Sequence, residues 1–412
     1  MQRSVKLQSE SAASGLAFKR GEKTALLFGA GYCALHLAPH LQDMGYRIFA
    51  TVRQGKKNAW LRRRGIEPIK LTGEVTEPLR AILRRAEVLV SSVPPLRGGT
   101  DPILMSLGED YKKLTPKLKW AGYLSATSVY GDRGGQWAFE DELLKPSTAR
   151  GLARVEAELA WLETGWPVHV FRLAGIYGPQ IGGAKTGVTR NPLARLKDGR
   201  ARAVIKEGHI VNRIHVNDIT AALLASIARP NPTRVYNISD GHPAPPQDVL
   251  EFGARLLGVS LPPQVSVDDP TVSDMARSFY QDNKRVDVSR AKTELDWLPR
   301  VQDYRQGLVT LAQSEHPDQV YLAGHMRVPE SERSAVLSAL AHHIAQSRAE
   351  AGCLRFEVTQ DETQPSKFHV FEVFKSQKLF DLHQERSRES PWAKASKNCP
   401  RDYVIKGPDP IH

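Results

Sequence analysis

The stretch that decides the fold is Thr24-Ala25-Leu26-Leu27-Phe28-Gly29-Ala30-Gly31-Tyr32-Cys33-Ala34. A short apolar run ends in two glycines, and leucine and alanine then recur at helical spacing up to Leu41. This order of strand, glycine turn and helix is the context in which Gly-x-Gly-x-x-Gly/Ala binds a dinucleotide. The first glycine permits the tight turn, the second lets backbone approach a pyrophosphate, and the small Ala34 lets the helix pack on the strand. The alternative is a turn that serves packing alone.

Further apolar strands follow the first one, separated by helical or loop segments. They are predicted at residues 24–28, 46–52, 87–92, 120–125, 169–173 and 235–238, with a helix at 248–257. Strands that alternate with helices imply right-handed crossovers and a parallel sheet. We therefore predict an α/β fold with a Rossmann-type doubly wound parallel sheet and a small substrate lobe.

Composition narrows the function classes. The chain has 412 residues, 41% hydrophobic and 25% charged, with a formal net charge of +12, which is typical of a globular protein of two domains. No stretch is apolar over 18 residues and the N-terminus lacks a signal-peptide core, so we expect a cytoplasmic protein that contacts no membrane. The basic run from Arg53 to Arg64 lacks interleaved aromatics, so nucleic acid is not predicted as a partner.

The residues after the second strand indicate which dinucleotide is bound. An enzyme that uses NAD places an acid there for the ribose hydroxyls. Here the strand ends in Thr51-Val52-Arg53, with Lys56 and Lys57 just beyond. A guanidinium can bind a 2′-phosphate through two hydrogen bonds, whereas an acid would repel it. NADP is therefore favoured over NAD, although an exposed basic loop without a ligand would show the same residues.

Four ordered motifs resemble the extended short-chain dehydrogenase/reductase superfamily, especially its atypical nucleoside-diphosphate-sugar epimerase-like members. They are the glycine turn, residues 123–131 (YLSATSVYG), residues 172–179 (RLAGIYGP) and residues 213–219 (RIHVNDI). The resemblance covers about residues 24–312 and implies a cofactor site with a sugar nucleotide as substrate class. The residues implied for that cofactor site are Gly29, Ala30, Gly31, Tyr32, Cys33, Ala34, Arg53, Ser92, Val93, Pro94 and Ser125.

The catalytic positions depart from that family. It supplies a tyrosine made acidic by a lysine four residues later, assisted by serine or threonine. Those positions hold Arg150 and Arg154, and a guanidinium does not deprotonate at working pH. The assisting position holds Ala126, with the hydroxyls of Ser125, Thr127 and Ser128 alongside, and Thr127 is named as the candidate.

A structural role for the two arginines is the other interpretation. The spacing predicts a buried stripe of Leu152, Val155, Leu159 and Leu162, and Arg154 could pair with Glu158 at i+4. His209 and His215 could supply a base instead, but a histidine before a helix is more often structural. His36 and His40 have metal-ligand spacing without an acidic third ligand, so no metal site is predicted.

A second domain begins after the polar residues 314–318 (SEHPD). The predicted order is strand 320–328, helix 330–349, strands 353–360 and 367–375, helix 377–388 and a last strand near 403–406. We therefore divide the chain into a mobile basic tail (1–23), a nucleotide-binding domain (24–314), a linker (315–319) and a C-terminal domain (320–412).

The C-terminal domain resembles the antibiotic biosynthesis monooxygenase family. The supporting residues are 349–358 (AEAGCLRFEV), 368–374 (FHVFEVF), Phe380, His383, Arg386, Ser390 and Trp392. The resemblance implies an α+β ferredoxin-like unit that dimerises through its sheet and oxidises a quinol or phenol without a cofactor. His369 and His383 are its candidate catalytic residues, with Glu372 and Trp392 beside them. Phe380 and Trp392 could instead be plain core aromatics.

Two functions are compatible with this reading. The first is an NADP-dependent oxidoreductase or epimerase-like protein, with catalytic candidates Thr127, Arg150 and Arg154, fused to a quinol or phenol monooxygenase. The second is a non-catalytic NADP(H)-binding redox sensor whose C-terminal domain serves for dimerisation. Both predict a small-molecule ligand and a homodimer through residues 320–412.

Overall fold

The computed structural model describes residues 16–108, 111–182 and 188–408. The strands within these ranges are β1 Lys23–Phe28, β2 Tyr46–Val52, β3 Ile66–Lys70, β4 Ala86–Ser91, β5 Trp120–Ala126, β6 Trp137–Ala138, β7 Val168–Leu173, β8 Gly175–Ile181, β9 Val188–Arg190, β10 Ala203–Ile205, β11 Arg213–His215, β12 Val235–Ile238, β13 Gln264–Ser266, β14 Arg285–Val286, β15 Val320–Arg327, β16 Cys353–Gln360, β17 Lys367–Phe374 and β18 Arg401–Lys406.

The α-helices within the same ranges are α1 Tyr32–Asp43, α2 Asn58–Arg62, α3 Glu77–Leu83, α4 Pro102–Leu107, α5 Tyr111–Leu114, α6 Ala149–Glu163, α7 Pro192–Lys197, α8 Val216–Ala228, α9 Pro246–Leu257, α10 Asp274–Ser278, α11 Ser289–Leu295, α12 Tyr304–Glu315, α13 Arg333–Ala349, α14 Gln377–Arg388 and α15 Pro391–Ala395. Short 3₁₀ turns occupy Gly55–Lys57, Thr127–Tyr130 and Glu330–Glu332.

The chain packs into two compact units. The first unit comprises the residues up to Arg190 together with Lys206–Pro245 and Val267–Val301. The second unit comprises Asn191–Ile205, Pro246–Ser266 and the residues from Gln302 onward. The second unit therefore includes α7, β10, α9, β13 and α12 as well as the predicted C-terminal domain.

A seven-stranded parallel sheet forms the centre of the first unit. Its strand order is β12-β7-β5-β4-β1-β2-β3. The chain moves outward from β1 in one direction through β2 and β3, and then in the other direction from β4. The order thus reverses beside β1, and in such sheets a ligand binds at the carboxyl ends of the strands at this reversal.

Helices cover both faces of this sheet, which confirms the predicted doubly wound fold. On one face α1, α8 and α11 pack through Leu37, Leu223 and Leu295, none of which is exposed by more than 1%. On the other face α3, α4 and α6 contribute Leu79, Ile103, Leu104, Ala157 and Trp161 to a second core. The parallel strands are buried from both sides because each face has its own layer of helices.

The six predicted strands of the first unit are confirmed within one residue at each end. The sequence reasoning missed β3, which carries Glu67, Pro68 and Lys70 and so lacks an apolar run; it lies at the edge of the sheet. The predicted buried stripe of α6 was wrong for Leu152 and Leu159, whereas Val155 and Leu162 are partly buried against hydrophobic clusters. Leu152 and Leu159 are 52% and 54% exposed, because the smaller Gly151, Ala153 and Ala157 face the sheet together with Trp161.

Residues 16–22 lie within the predicted mobile tail and are packed in the structure. Phe18 contacts Phe49 with ring centroids 5.9 Å apart. Arg47 donates a hydrogen bond to the carbonyl of Ala17 and lies 3.2 Å from the carboxylate of Glu22. The prediction for residues 1–15 lies outside the described residues.

The second unit contains a four-stranded antiparallel sheet of order β16-β17-β15-β18. One face packs against α13, α14 and α15 around a core that includes Met326, Phe356, Phe368, Phe374 and Phe380. The elements predicted for residues 320–406 are all present, and α15 is an additional short helix. Two helices on one face of an antiparallel sheet confirm the predicted α+β ferredoxin-like fold.

Helices from the same unit cover the other face of this sheet. The ring of Phe252 on α9 lies 5.6 Å from that of Phe371 on β17. Arg355 on β16 donates to the carbonyl of Leu256 at the C-terminal end of α9 (2.7 Å), a favourable place for a cation. Helix α12 packs along β15 and β18, and Arg305 on it is paired with Asp402. This face therefore has a cover within the chain.

Candidate functional site

The glycine turn brings the predicted phosphate-binding backbone next to the end of β4. Gly29 has φ +86°, and a Cβ atom there would lie 2.9 Å from Cγ2 of Val93. A Cβ on Gly31 would lie 3.2 Å from Oγ of Ser92. A side chain at Gly29 would therefore clash with Val93 and need an unfavourable φ, whereas one at Gly31 would press on the Ser92 hydroxyl. Pro94 follows on the same loop and is exposed.

The first turn of α1 is free to meet an anion. Its N-cap is Gly31, and no side chain caps the helix end. Unpaired amide N–H groups and the helix dipole make such an end favourable for phosphate. The amide N–H of Gly29 is used differently, because it donates to Oγ1 of Thr51 at 2.8 Å. That bond ties the turn to β2.

The side chains of Tyr32 and Cys33 are both buried. The Tyr32 hydroxyl donates to the carbonyl of Pro179 (2.8 Å), and its ring packs edge-on against His36 at 4.8 Å. Burial raises the pKa of the Cys33 thiol to about 11, so the thiol stays protonated at neutral pH. Ala34 is buried under the helix, as predicted for the small third residue.

Arg53 follows β2 directly and is exposed. Among the described residues, neither Arg53 nor Lys56 nor Lys57 has a hydrogen bond or an ion pair, so all three charges are available to a ligand. The end of β2 carries no acid.

At the carboxyl end of β5, two hydroxyl groups line the same edge of the sheet as the glycine turn. Ser125 is 4% exposed, and its hydroxyl has no partner in the described part of the chain. Thr127 opens the 3₁₀ turn that follows and is half-buried. The parallel order of the sheet places both at the ligand-binding edge.

The two arginines of the expected catalytic positions are separated by their contacts. Arg154 donates to the carbonyl of Leu124 (3.0 Å) and to the hydroxyl of Tyr123 (3.3 Å), which anchors it to β5. Arg150 is exposed, with its guanidinium carbon 5.3 Å from the ring centroid of Phe279. Neither arrangement supplies a group that can accept a proton.

The predicted pair of Arg154 with Glu158 was wrong. Glu158 instead pairs with Arg172 at 2.8 Å, and both side chains are at most 5% exposed. Arg172 also donates to the hydroxyl of Tyr130 (2.9 Å), which donates in turn to Oδ1 of Asn237 (2.7 Å). Burial raises the pKa of Tyr130 to about 12. Tyr130 is therefore a structural hydrogen-bond partner of a buried ion pair.

Three histidines singled out in the sequence of the first unit have a lowered pKa. Burial lowers the pKa of His209, His215 and His36 to about 4 in each case. His215 caps α8, its Nδ1 accepting from the amide of Asn217 at 3.3 Å, which favours the structural interpretation. Across the described ranges, no three His, Cys, Asp or Glu side chains are grouped as a metal ion would need.

In the second unit, a polar cluster lies between the sheet and its helices. Nδ1 of His383 on α14 lies 2.8 Å from a carboxylate oxygen of Glu350, and Nε2 lies 3.4 Å from the hydroxyl of Ser387. Arg386 pairs with the other oxygen of Glu350 and donates to Ser347 at 2.8 Å. His383 is 2% exposed, and this burial lowers its pKa while the Glu350 carboxylate opposes the change.

Glu372 on β17 completes this cluster. One of its carboxyl oxygens lies 3.7 Å from Nε2 of His383 and has no hydrogen-bond partner among the described residues. Burial, reinforced by the negative charge of Glu350, raises the pKa of Glu372 to about 8. Glu372 is therefore protonated at neutral pH, and Glu350, Glu372 and His383 form a group that can hold and move one proton. We call these three residues the His383 cluster.

The second unit's fold and cluster agree with a family match. Residues 319–389 match the model of the antibiotic biosynthesis monooxygenase family. The chain therefore carries a C-terminal domain of this kind, called the ABM domain below. The candidate site of the ABM domain is the His383 cluster rather than a nucleotide-binding turn.

A solved structure from Silicibacter pomeroyi DSS, a functionally unknown conserved protein, is 42% identical. It covers 71% of this chain and 99% of its own, with a TM-score of 0.65. The chain belongs to the family of this Silicibacter protein. Protein YeeZ of Escherichia coli K12 is 29% identical over 255 residues, which are 59% of this chain and 86% of YeeZ.

The fold of the Silicibacter family is that of NAD-dependent epimerases and dehydratases. dTDP-glucose 4,6-dehydratase from Bacillus anthracis, solved in complex with NAD, is 18% identical with a TM-score of 0.56. It covers 71% of this chain and 96% of the dehydratase. The predicted fusion of such a domain with an ABM domain is thus confirmed. No described helix is long and apolar enough to span a bilayer.

The ABM domain separates its two predicted catalytic histidines. Nε2 of His369 lies 2.8 Å from one carboxylate oxygen of Asp361. The other oxygen accepts hydrogen bonds from the amides of Thr363 and Gln364 in the turn before β17. His369 shares the face of β17 with Phe371, whereas Glu372 lies on the opposite face with the cluster. The structure does not bring His369 and His383 together.

Sequence reasoning missed two residues of the ABM domain, Glu350 of the His383 cluster and the neighbouring His343. Glu350 contacts His383 across 33 positions of the chain, and no local spacing signals such a contact. His343 on α13 is 4% exposed and stacks on Trp392, with centroids 4.9 Å apart and planes 8° from parallel. A histidine on the apolar face of a helix is the signal that could have drawn notice to it.

Proposed function

We propose that the chain is an NADP(H)-binding protein fused to a cofactor-free phenol or quinol monooxygenase. Its first unit has the epimerase/dehydratase fold without the tyrosine and lysine of that chemistry. Its ABM domain carries the His383 cluster. The observation that supports a reaction most directly is the buried Glu372, whose carboxyl oxygen lies 3.7 Å from Nε2 of His383 and has no hydrogen-bond partner among the described residues. We place the protein in the cytoplasm.

The preference for NADP rests on Arg53. NAD is the nucleotide in the solved dehydratase complex, so the shared fold supports a nicotinamide dinucleotide. The unpaired charges of the exposed Arg53 and Lys56 and of the half-buried Lys57, all just after β2, favour the extra 2′-phosphate. The candidate phosphate and hydroxyl contacts are the glycine turn, Ser92 and Ser125. Pro94 and Val93 shape the adjacent wall.

Calorimetry of the full chain tests this cofactor. NADPH should bind more tightly than NADH, and Arg53→Ala should weaken NADPH binding alone by about 1 to 3 kcal/mol, which is about 5-fold to 150-fold in Kd. Arg62→Ala removes a neighbouring exposed charge and serves as the control. Equal affinities of the unmutated chain for the two nucleotides would refute the assignment.

The ABM reaction requires removal of a phenolic proton, exclusion of water and access of oxygen. Nε2 of His383 is the acceptor we assign, because Glu350 on Nδ1 stabilises the imidazolium that results. The carboxyl group of Glu372 lies 3.7 Å from the same Nε2 nitrogen and supplies a proton to the oxygen atom that leaves as water, after which the imidazolium returns the phenolic proton to Glu372. The phenolate transfers electrons to dioxygen, one oxygen atom enters the ring, and the other leaves as water.

The electron balance of this reaction requires no added reductant. A phenol with a free ring position opposite the hydroxyl loses four electrons as it becomes a quinone, and dioxygen accepts four. An oxygen electrode with 1-naphthol therefore tests the proposal directly. His383→Asn should abolish oxygen uptake, while His325→Asn on β15, which lies outside the cluster, should retain it. Unchanged uptake in His383→Asn would refute the assigned role.

A second function is favoured by Arg150 and Arg154, whose contacts supply no base. The first unit would then bind NADP(H) as a redox sensor without turnover. The two functions differ in oxygen uptake with a phenol, which only the first predicts. Any slow NADPH oxidation with carbonyl compounds or sugar nucleotides should disappear in Thr127→Ala. The homodimer through residues 320–412 stays a prediction. The face of the antiparallel sheet opposite α13, α14 and α15 is covered by α9 and α12.

A further inference from the structure

An exposed arginine lies at the ligand-binding edge of the parallel sheet. Arg150 is in the first turn of α6, which packs closely on the 3₁₀ turn after β5. A Cβ atom on Gly151 would lie only 2.7 Å from the carbonyl oxygen of Ser128 in that turn. The turn begins at Thr127, directly after the carboxyl end of β5, and ligands of such sheets bind at this edge. Arg150 therefore lies beside the expected position of a ligand of the first unit.

The charge of Arg150 is not used within the fold. Among the described residues, its guanidinium makes no ion pair and no hydrogen bond. Its guanidinium carbon lies 5.3 Å from the ring centroid of Phe279, a side chain that follows α10 and is 61% exposed. A guanidinium that contacts an aromatic face keeps its N–H donors for an anion. The pair therefore offers a positive charge beside a flat apolar surface.

Arg154, one turn further along α6, is the contrasting case. It is half-buried and donates to the carbonyl of Leu124 at 3.0 Å, so the fold itself uses this arginine. Arg150 has no such bond, and a cation in the first turn of a helix opposes the helix dipole. Neither packing nor helix stability accounts for Arg150, which leaves a ligand as its partner.

The groups at this edge favour a ligand that carries its own negative charge. Neither arginine can exchange a proton, and burial raises the pKa of Tyr130 to about 12. A ketone that gains a hydride becomes an alkoxide whose conjugate acid is about as weak as water, with a pKa of about 16, so it requires an acid. A quinone that gains a hydride becomes the anion of a phenol, with a pKa of about 10, and a guanidinium can hold that anion as it is.

We propose that Arg150 and Phe279 bind the anion of a quinol, with its ring against Phe279 and its oxyanion on the guanidinium of Arg150. This choice of ligand rests on the proposed function, in which the ABM domain produces a quinone. The hydride is the chemistry that NADPH supplies when it is bound at the glycine turn. The quinone gains two electrons and one proton with it, and one proton from water completes the quinol on release. The first unit would then reduce what the ABM domain produces.

Two naphthoquinones of similar size test the site without any cofactor. At neutral pH, 2-hydroxy-1,4-naphthoquinone is an anion and 2-methoxy-1,4-naphthoquinone is neutral. Calorimetry of the full chain should give the anion a Kd lower by about tenfold or more, as expected for a charge-assisted hydrogen bond. Arg150→Gln should remove this preference, and Arg150→Lys should keep part of it. Phe279→Ala should raise the Kd of both compounds.

The exposed Arg63, which follows α2, provides the matched control. Arg63→Gln removes the same charge elsewhere on the first unit and should leave both affinities unchanged. Any binding of these compounds to the ABM domain is common to all variants, so the difference between variants reports on the first unit. Arg150 and Phe279 are both exposed, so their replacement should leave the circular dichroism spectrum of the chain unchanged.

Consumption of NADPH in the absence of oxygen tests the choice of ligand. The chain should reduce 1,4-naphthoquinone and should not reduce 1-tetralone, a bicyclic compound of similar size with a single ketone. Arg150→Gln should lower kcat for the quinone by about tenfold or more, with the Kd of NADPH unchanged. Reduction of 1-tetralone as fast as the quinone would overturn the assignment of a quinol anion.

The outcomes separate this site from the proposed function. Equal affinities for the two naphthoquinones, or a preference that survives in Arg150→Gln, would overturn the site even if the chain binds NADPH and consumes oxygen. A preference lost in Arg150→Gln supports the site even if NADPH does not bind or a phenol consumes no oxygen. In those two cases the cofactor assignment or the monooxygenase reaction fails instead.

Discussion

Glu372→Gln is expected to stabilise the second unit while it removes activity. Burial beside Glu350 raises the pKa of Glu372 from its ordinary 4.5 to about 8. The folded state therefore keeps a proton that the unfolded state loses as pH rises through 4.5. Stability falls by about 1.4 kcal/mol for each pH unit from 4.5 to about 8. At pH 7 the accumulated loss is about 3 kcal/mol, and an uncharged glutamine avoids it.

The sign of this effect is its diagnostic feature. Glu372→Gln and the unmutated chain should be equally stable at pH 4, and the variant should be more stable at pH 7. Glu357→Gln on the opposite face of the sheet is the matched control. Arg355 lowers the pKa of Glu357, so that carboxylate stabilises the fold above pH 4.5 and the contribution disappears in acid. Its variant should lose stability at pH 7 and little at pH 3.

Unfolding must be followed in the second unit alone, because two units need not unfold together. Trp392 is the tryptophan of that unit, and the other six, Trp60, Trp120, Trp137, Trp161, Trp166 and Trp297, are in the first. In the chain labelled with 5-fluorotryptophan, urea titration of the Trp392 fluorine resonance at pH 4 and pH 7 gives the required free energies of unfolding. A variant that gains nothing at pH 7 would show that Glu372 is ionised in the folded state, which contradicts its role as a proton donor.

The remaining predictions concern three other contacts. Arg154→Ala removes the bonds to β5 and should cost about 1 to 2 kcal/mol of stability in thermal unfolding with NADPH affinity changed less than threefold; a larger loss of affinity would place Arg154 at the cofactor. Phe252→Ala combined with Arg355→Ala uncovers the sheet face, so light scattering of the full chain should show self-association at rising concentration, and an unchanged mass would count against it. His369→Asn should leave oxygen uptake within twofold on an oxygen electrode; loss of uptake would move the chemistry to the other sheet face.

Local patterns account for what the sequence predicts well. The glycine turn lies beside Ser92 and Val93 because β1 and β4 are parallel neighbours that end at the same edge of the sheet. The sequence shows both strands as short apolar runs and the turn as two glycines. Strand alternation also separates Arg355 and Glu357 from Phe356. The same alternation places His369 and Glu372 on opposite faces, so the sequence could have shown that at most one of them faces His383.

Contacts between residues far apart in the chain explain what the sequence did not predict. The stripe of Leu152 and Leu159 was assigned by size, whereas α6 approaches the sheet through glycine and alanine because Trp161 already fills the space. Two arginines could pair with Glu158, namely Arg154 four residues before it and Arg172 fourteen residues after it. Arg172 and Glu158 are both buried, and they form the ion pair. Periodicity identifies a face of a helix but not which face meets the neighbour.

The covered sheet face changes what a dimer would require. A ferredoxin-like sheet with helices on one face only would leave its other face apolar, and a second copy could cover that face. Phe371 already contacts Phe252, and Arg355 already bonds the end of α9. A second copy on this face would have to displace both, and it would leave an arginine without its carbonyl partners. Self-association of the intact chain, if measured, therefore has to use another surface, and an oligomer through this face is expected only where α9 is detached.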